Sequence, residues 1–172
     1  VEPNRYLITS IPLELQRSFV PRIDYPELRA EQNRPAEELE ARHVFDAVVR
    51  LRRRKLPDPA VTGTAGSFFK NPEVDAETAE RLGRVEQGLP AWPGEDGRVK
   101  LSAAWLIERC GLKGRREGGA RVSEQHALVL ENAGGASGHD VSALAVEVQK
   151  TVYEAFGLRL EPEPKLIEFL SG

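Results

Sequence analysis

The clearest periodic pattern of apolar positions lies toward the C-terminal end. Val141, Leu144, Ala145, Val148, Val152 and Phe156 recur at three- and four-residue steps, which predicts a helix from about 138 to 156 with one buried stripe. Ser137-Gly138-His139-Asp140 supplies a capping pattern at its start, and Gly157 ends it. A second helix is predicted over about 35 to 54. Asn33 can cap it, Pro35 suits its first turn, and Leu39, Val44, Phe45, Val48 and Leu51 share one face. Leu56-Pro57-Asp58-Pro59 stops it, because proline supplies no amide donor and restricts the residue before it. Asp75 is placed to cap a short helix carrying Ala79, Leu82 and Val85. Ser102 starts an apolar helix through Cys110, with Gly111 as its stop.

Period-two patterns are weaker. Tyr6, Ile8 and Ser10, followed by Leu13 and Leu15, predict a strand from Tyr6 to Leu15 that Pro12 confines to an edge or breaks. Arg22 to Leu28 reads as an extended segment turning at Pro26, Gln87 to Gly97 as a loop, and Gly114 to Gly119 as a turn or loop. Ala127 to Leu130 is a short buried strand by composition. Leu158 to Leu160 and Lys165 to Phe169 are predicted terminal strands around Glu161-Pro162-Glu163-Pro164. Helices and strands mix without regular βαβ alternation, which predicts an α+β fold.

Composition narrows the classes. With 172 residues, 40% hydrophobic and 30% charged, the chain has room for one domain plus pieces of a neighbour. No apolar run reaches the roughly 18 to 20 residues that span a bilayer, and no signal pattern opens the chain. A net charge of -3 gives no global reason to bind nucleic acid. Cys110 is the only cysteine, so no internal disulfide is possible and an intracellular setting is expected. His43, His126 and His139 have no ligand-type spacing, and no metal site is expected. The chain has no methionine and begins Val1-Glu2-Pro3, which is the expectation for a piece of a larger protein.

Gly63-Thr64-Ala65-Gly66-Ser67-Phe68-Phe69-Lys70-Asn71-Pro72 is the most informative stretch. Small residues before Ser67 let backbone and ligand approach closely, while Phe68 and Phe69 can anchor the turn in a core. Ser67 is then a nucleophile, a proton donor or a hydrogen-bonding turn residue. No Gly-x-Ser-x-Gly elbow accompanies it. Arg50 to Lys55 is the one dense basic run, either a solvated helix end or a phosphate-binding one. Glu161 and Glu163 flank Pro162 and point to one side of an extended chain, either as a pair for acid-base work or as surface charges.

Taken in order, Lys55-Leu56-Pro57-Asp58-Pro59, Ala65 to Pro72, Ala104-Trp105-Leu106-Ile107-Glu108, Gly111-Leu112-Lys113-Gly114 and Leu160-Glu161-Pro162-Glu163 resemble the UDP-N-acetylenolpyruvoylglucosamine reductases. Tyr25-Pro26-Glu27-Leu28 is similar to the substrate-capping loop of the type I subclass. The resemblance covers Tyr6 to Ile167. It implies an enzyme of peptidoglycan synthesis that reduces UDP-N-acetylglucosamine enolpyruvate to UDP-N-acetylmuramate in the cytoplasm, using FAD and NADPH. It implies that Ser67 is the proton donor and Glu163 the carboxylate that orients the site and helps stabilise an enol or enolate. Tyr25, Lys55 and Asn71 then hold the diphosphate or other polar groups of the substrate. His126 stands where some relatives carry glutamine, and a ligand-binding or a packing role both remain open.

The family's Tyr-Arg-Asp-Ser segment and its glycine-rich FAD-binding stretches have no counterpart in this sequence. The resemblance therefore implies three parts: 1–57 as the end of the FAD-binding domain with the Tyr25 loop, 58–157 as the substrate domain, and 158–172 as a segment returning to the missing N-terminal FAD-binding part. FAD is not expected to bind this chain, and turnover by it alone is not expected. A free-standing UDP-sugar or diphosphate-binding module and a non-catalytic interaction domain are the competing readings, with no nucleic acid or membrane partner.

Overall fold

A computed structural model of the chain describes residues 9–165. The chain divides into two compact units, residues 1–52 and 53–172.

In the first unit, Pro26 at the first helical position opens α1 (Pro26–Ala30), and a single 3-10 turn follows at Ala36–Glu38. The long helix α2 (Ala41–Lys55) begins in this unit and carries an Arg42–Asp46 pair one turn apart. Leu28, Ala47 and Leu51 form a small buried cluster with Ile23 and Val44 packed on it. The buried face keeps Val44 and Leu51 of the predicted one but not Phe45 and Val48. Phe45 is exposed with the Arg42 guanidinium over its ring, Val48 is exposed, and Ala47 takes the interior place. The helix also starts later than expected, since Leu39 lies between the 3-10 turn and α2.

Two further expectations fail here. Arg22 to Leu28 is not extended throughout, because Pro26 begins a helix instead of a turn. Residues 9–15 form no strand, while Tyr6 to Ile8 lie outside the described residues. A strand needs a neighbour for its amides, and none pairs with this stretch among the described residues.

The second unit is built on two antiparallel sheets. One has the order β1-β7-β6-β5, formed by β1 (Thr64–Ser67), β7 (Val129–Asn132), β6 (Ala120–Val122) and β5 (Arg116–Glu117). The other has the order β2-β4-β3, from β2 (Glu73–Val74), β4 (Val99–Leu101) and β3 (Ala91–Pro93). Helices α3 (Ala76–Val85), α4 (Ala103–Arg109) and α5 (Gly138–Phe156) complete an α+β fold. The α5 stripe packs with Phe68, Phe69, Val122 and Leu130 in one core.

In this unit helix caps fall where the sequence places them, whereas Asn33, expected to cap α2, lies before the 3-10 turn. Asp75 and Ser102 accept amide bonds from Thr78 and Trp105, and Ser137 and Asp140 form a reciprocal capping box. Gly157 ends α5 in the left-handed region, at φ 71°. Strands depart from expectation most where they are shortest. The stretches 87–97 and 114–119, read as loops, contain β3 and β5. The Ala127 to Leu130 strand begins instead at Val129. Gly118 and Gly119 make the two-residue hairpin between β5 and β6. A side chain on Gly119 would meet the Ala136 amide nitrogen at 2.5 Å. Leu158 to Leu160 is not a strand but an apolar anchor, with Leu158 and Leu160 buried in the core. Lys165 is irregular, and residues 166–169 lie outside the described residues.

Candidate active site

The site begins with a break in a strand ladder. Thr64 pairs with Glu131 and Ser67 with Val129, so three steps on β1 face two on β7. Gly66 absorbs the extra residue at φ 77°, a conformation that a side chain would strain, and its amide donates to Thr64 Oγ1 at 2.8 Å. Ser67 therefore follows a bulge at the end of β1 and is exposed, while Phe68 and Phe69 beside it are buried edge to face. Its setting is a strand end rather than the expected turn. Among the described residues no side chain hydrogen-bonds the Ser67 hydroxyl, so the structure offers it no paired base of the hydrolase kind.

The C-terminal segment crosses this strand end. Phe69 and Pro162 form an antiparallel bridge, with the Lys70 amide donating to Glu161 O and the Glu163 amide to Phe68 O, both at 2.9 Å. Helix α5 anchors the approach, because Gln149 Nε2 donates to Leu160 O at 2.7 Å. Glu163 thereby lies opposite Phe68, one residue from Ser67.

Beside this crossing lies a cleft of about 580 Å³ whose lining includes Asn71, Glu161 and Glu163. Asn71 Oδ1 accepts the Ala103 amide at 2.9 Å, so the start of α4 holds this side chain at the cleft wall. The cations Lys70, Arg98, Lys100 and Arg159 also line the cleft. Lys70 Nζ meets Glu161 Oε1 at 2.6 Å, and Lys100 Nζ meets Glu73 Oε1 at 3.1 Å. Arg98 donates to the Glu73 carbonyl at 2.7 Å, and Arg159 lies over the Tyr153 ring. Such a lining suits phosphate, carboxylate and sugar hydroxyl groups. It does not suit a flavin, whose ring system asks for a broad apolar wall; Pro72 is the one apolar side chain here.

The remaining predicted residues stand elsewhere. Lys55 ends α2, half-buried, and does not line the cleft; neither does His126. The His126 ring sits in the β6–β7 connection, where Nδ1 accepts the Leu128 amide at 3.2 Å. Tyr25 belongs to the first unit, where it is exposed and its hydroxyl lies 3.3 Å from Glu27 Oε1. The cleft also holds residues that were not expected there. Glu73 and Lys100 face each other directly across β2 and β4, and the charged Lys100 between apolar Val99 and Leu101 is the signal that marks it.

A second cleft, of about 340 Å³, contains Arg121 and Glu131. They are opposite on β6 and β7, with Arg121 Nε on Glu131 Oε1 at 2.7 Å and Glu131 only 4% exposed. Burial, and then the charge of Glu86, pushes the Cys110 thiol above its ordinary range, so this cysteine is a poor nucleophile. Among the described residues no group of three or more histidines, cysteines or carboxylates could hold a metal ion, and no helix is long and apolar enough to cross a membrane.

Residues 58–167 match the profile of the family described as UDP-N-acetylenolpyruvoylglucosamine reductase, C-terminal domain. The chain belongs to this family. Ser67, Asn71, His126 and Glu163 fall inside the match, and Tyr25 and Lys55 precede it. The UDP-N-acetylenolpyruvoylglucosamine reductase of Bordetella pertussis is 49% identical over 166 residues, which are 96% of this chain and 47% of that protein. The enzyme of that name from Burkholderia pseudomallei is 49% identical over 163 residues, or 93% of this chain and 47% of that protein. The chain thus spans about half the length of these relatives. A crystal structure of UDP-N-acetylenolpyruvylglucosamine reductase from Thermus caldophilus is 30% identical, with a TM-score of 0.46 over 78% of this chain and 36% of that one.

Proposed function

We propose that the chain is the substrate-closing part of a reductase that converts UDP-N-acetylglucosamine enolpyruvate to UDP-N-acetylmuramate for peptidoglycan synthesis in the cytoplasm. The observation that carries this reading is the Phe69–Pro162 bridge. It sets Glu163 beside the Ser67 strand end, at a cleft that Asn71 also lines. The division into 1–57, 58–157 and 158–172 belongs to the same proposal.

The chain's residues bind, orient and protonate. The hydride would come from FAD that NADPH reduces, bound outside this chain, whose cleft does not fit a flavin. Ser67 gives its hydroxyl proton to the carbon next to the substrate carboxylate, and the preceding bulge aims it from a strand end anchored by two buried phenylalanines. Glu163 orients the reacting group and helps stabilise the enol form. Asn71 offers amide hydrogens to substrate oxygens, Lys55 and the basic run before it attract the diphosphate, and Tyr25 caps the bound substrate. His126 takes a polar contact in place of glutamine.

Stopped-flow kinetics on the complete flavoprotein test this assignment. Ser67→Ala should leave flavin reduction by NADPH near the parent rate, because that half-reaction takes no proton from Ser67. Reoxidation by the enolpyruvyl substrate should slow by roughly 10²- to 10⁴-fold, the usual loss on removing a general acid. Reoxidation at the parent rate would leave Ser67 as a strand-end residue and remove the catalytic reading.

A further inference from the structure

The three carboxylates of the large cleft are not equivalent. Glu73 is paired with Lys100 and Glu161 with Lys70, whereas Glu163 makes no ion pair among the described residues. We propose that Glu161 is a positioning residue that occupies Lys70 and so keeps the neighbouring Glu163 carboxylate unpaired for the site. The inference rests on the function proposed above and extends it to a residue that touches no reacting atom.

Geometry on both strands supports it. Glu161 and Glu163 are two residues apart on an extended segment and share a side of it. The Phe69–Pro162 bridge makes Lys70 the direct neighbour of Glu161 and the diagonal neighbour of Glu163. Diagonal neighbours in an antiparallel pair are roughly 7 to 8 Å apart, within reach of a long side chain. Lys70 therefore has two carboxylates to choose from. The direct neighbour holds it, with Nζ to Oε1 at 2.6 Å. The other cleft cations are engaged elsewhere: Lys100 and Arg98 at Glu73, and Arg159 on the Tyr153 ring. Removing the Glu161 charge frees Lys70 to move onto Glu163 and neutralise it. Pro162 fixes the segment locally and contributes no amide donor, so the two glutamates keep their places while the lysine swings.

This arrangement makes an asymmetric prediction, which a simple clamp does not. In the complete flavoprotein, Glu161→Gln should slow reoxidation by the enolpyruvyl substrate about fivefold, the upper end for an exposed charge pair. At saturating substrate, where a loss of affinity from removing a cleft cation does not enter, Lys70→Gln should change it by less than about twofold, because Glu163 then has no competing cation. The double variant should match Lys70→Gln, recovering what Glu161→Gln alone loses. Flavin reduction by NADPH should stay at the parent rate in all three. Amide hydrogen exchange at Glu163 should stay protected in all three, since its bond to Phe68 is a backbone one. Equal losses in the two single variants, or a double variant as slow as Glu161→Gln, would overturn the proposal in favour of a clamp. Glu163→Gln is the control. If it reoxidises at the parent rate, the reading of the site itself fails. If it is slow while Glu161→Gln is not, only the role given to Glu161 fails.

Discussion

The first unit has a small buried cluster of Leu28, Ala47 and Leu51, while the second unit closes two sheets and three helices over one continuous core. The first unit leaves Ile11, Leu13 and Leu15 in water, the last at 82% exposure. The second buries Phe69, Leu106, Leu144 and Leu160 almost completely. The difference bears on the proposed function, in which Ser67 gives a proton and Tyr25 caps the substrate, because Ser67 and Glu163 hang on those buried side chains through neighbouring peptides. Tyr25 instead stands exposed at the start of a five-residue helix. A proton donor has to be held within a fraction of an ångström of its target, whereas a capping residue closes over a ligand that is already bound. Dense and sparse packing suit these two tasks.

The strongest test of this contrast is a matched pair of truncations. Phe69→Ala should cost about 3 to 5 kcal/mol in denaturant unfolding, because it empties the middle of a closed core. Leu51→Ala should cost about 2 kcal/mol, the low end for leucine, because its cluster is small and can collapse. Equal costs would erase the distinction between the units. Amide hydrogen exchange sharpens it: residues 9–24, outside helices and strands, should exchange near the free-peptide rate. Val122 and Leu130, paired on β6 and β7, should exchange only on global opening.

Acid should act on the second unit through the α5 cap. The Ser137 amide first, and then the Gly119 amide, hold the Asp140 carboxyl below its ordinary range. A depressed folded-state value means that the stabilisation is present above the unfolded value of about 3.8 and is lost as pH falls through the folded one. Asp140→Asn should therefore flatten the acid limb of a melting-temperature profile. A variant profile parallel to the parent's would show that the cap carries no pH dependence. The smallest effect belongs to the first unit. Tyr25→Phe should leave the melting temperature unchanged and raise the Michaelis constant for the UDP-sugar by roughly two- to tenfold, the worth of one hydrogen bond. An unmoved constant would reduce Tyr25 to a surface side chain.

What could be read without the fold follows the same physics. Asp75, Ser102, Ser137 and Gly157 declared their helix ends because each cap is made within three or four residues. The α5 stripe declared its buried face because periodicity is a local property. Phe45 and Val48 misled because α2 packs on a cluster too small to cover a full face, so helical phase alone does not say which apolar positions are buried. The Ser67 segment and the two glutamates were legible as motifs, yet the sequence left both their strand-end setting and their partners open.

Those partners are the work of tertiary structure. Lys70 and Glu161 are 91 residues apart, and only the docking of Leu158 and Leu160 under α5 brings the second to the first. The small strands β2, β3 and β5 are two or three residues long, too short to carry a period, and exist because a partner satisfies their amides. The Arg121–Glu131 pair inside a sheet likewise follows from register, which places the two residues opposite each other across β6 and β7. The sequence by itself determined the helices α3, α4 and α5, their capped ends and the identity of the chemical groups, since these are decided by neighbours along the chain. The tertiary structure alone decided which of those groups meet, since hydrogen bonds and burial between distant segments have no local signature.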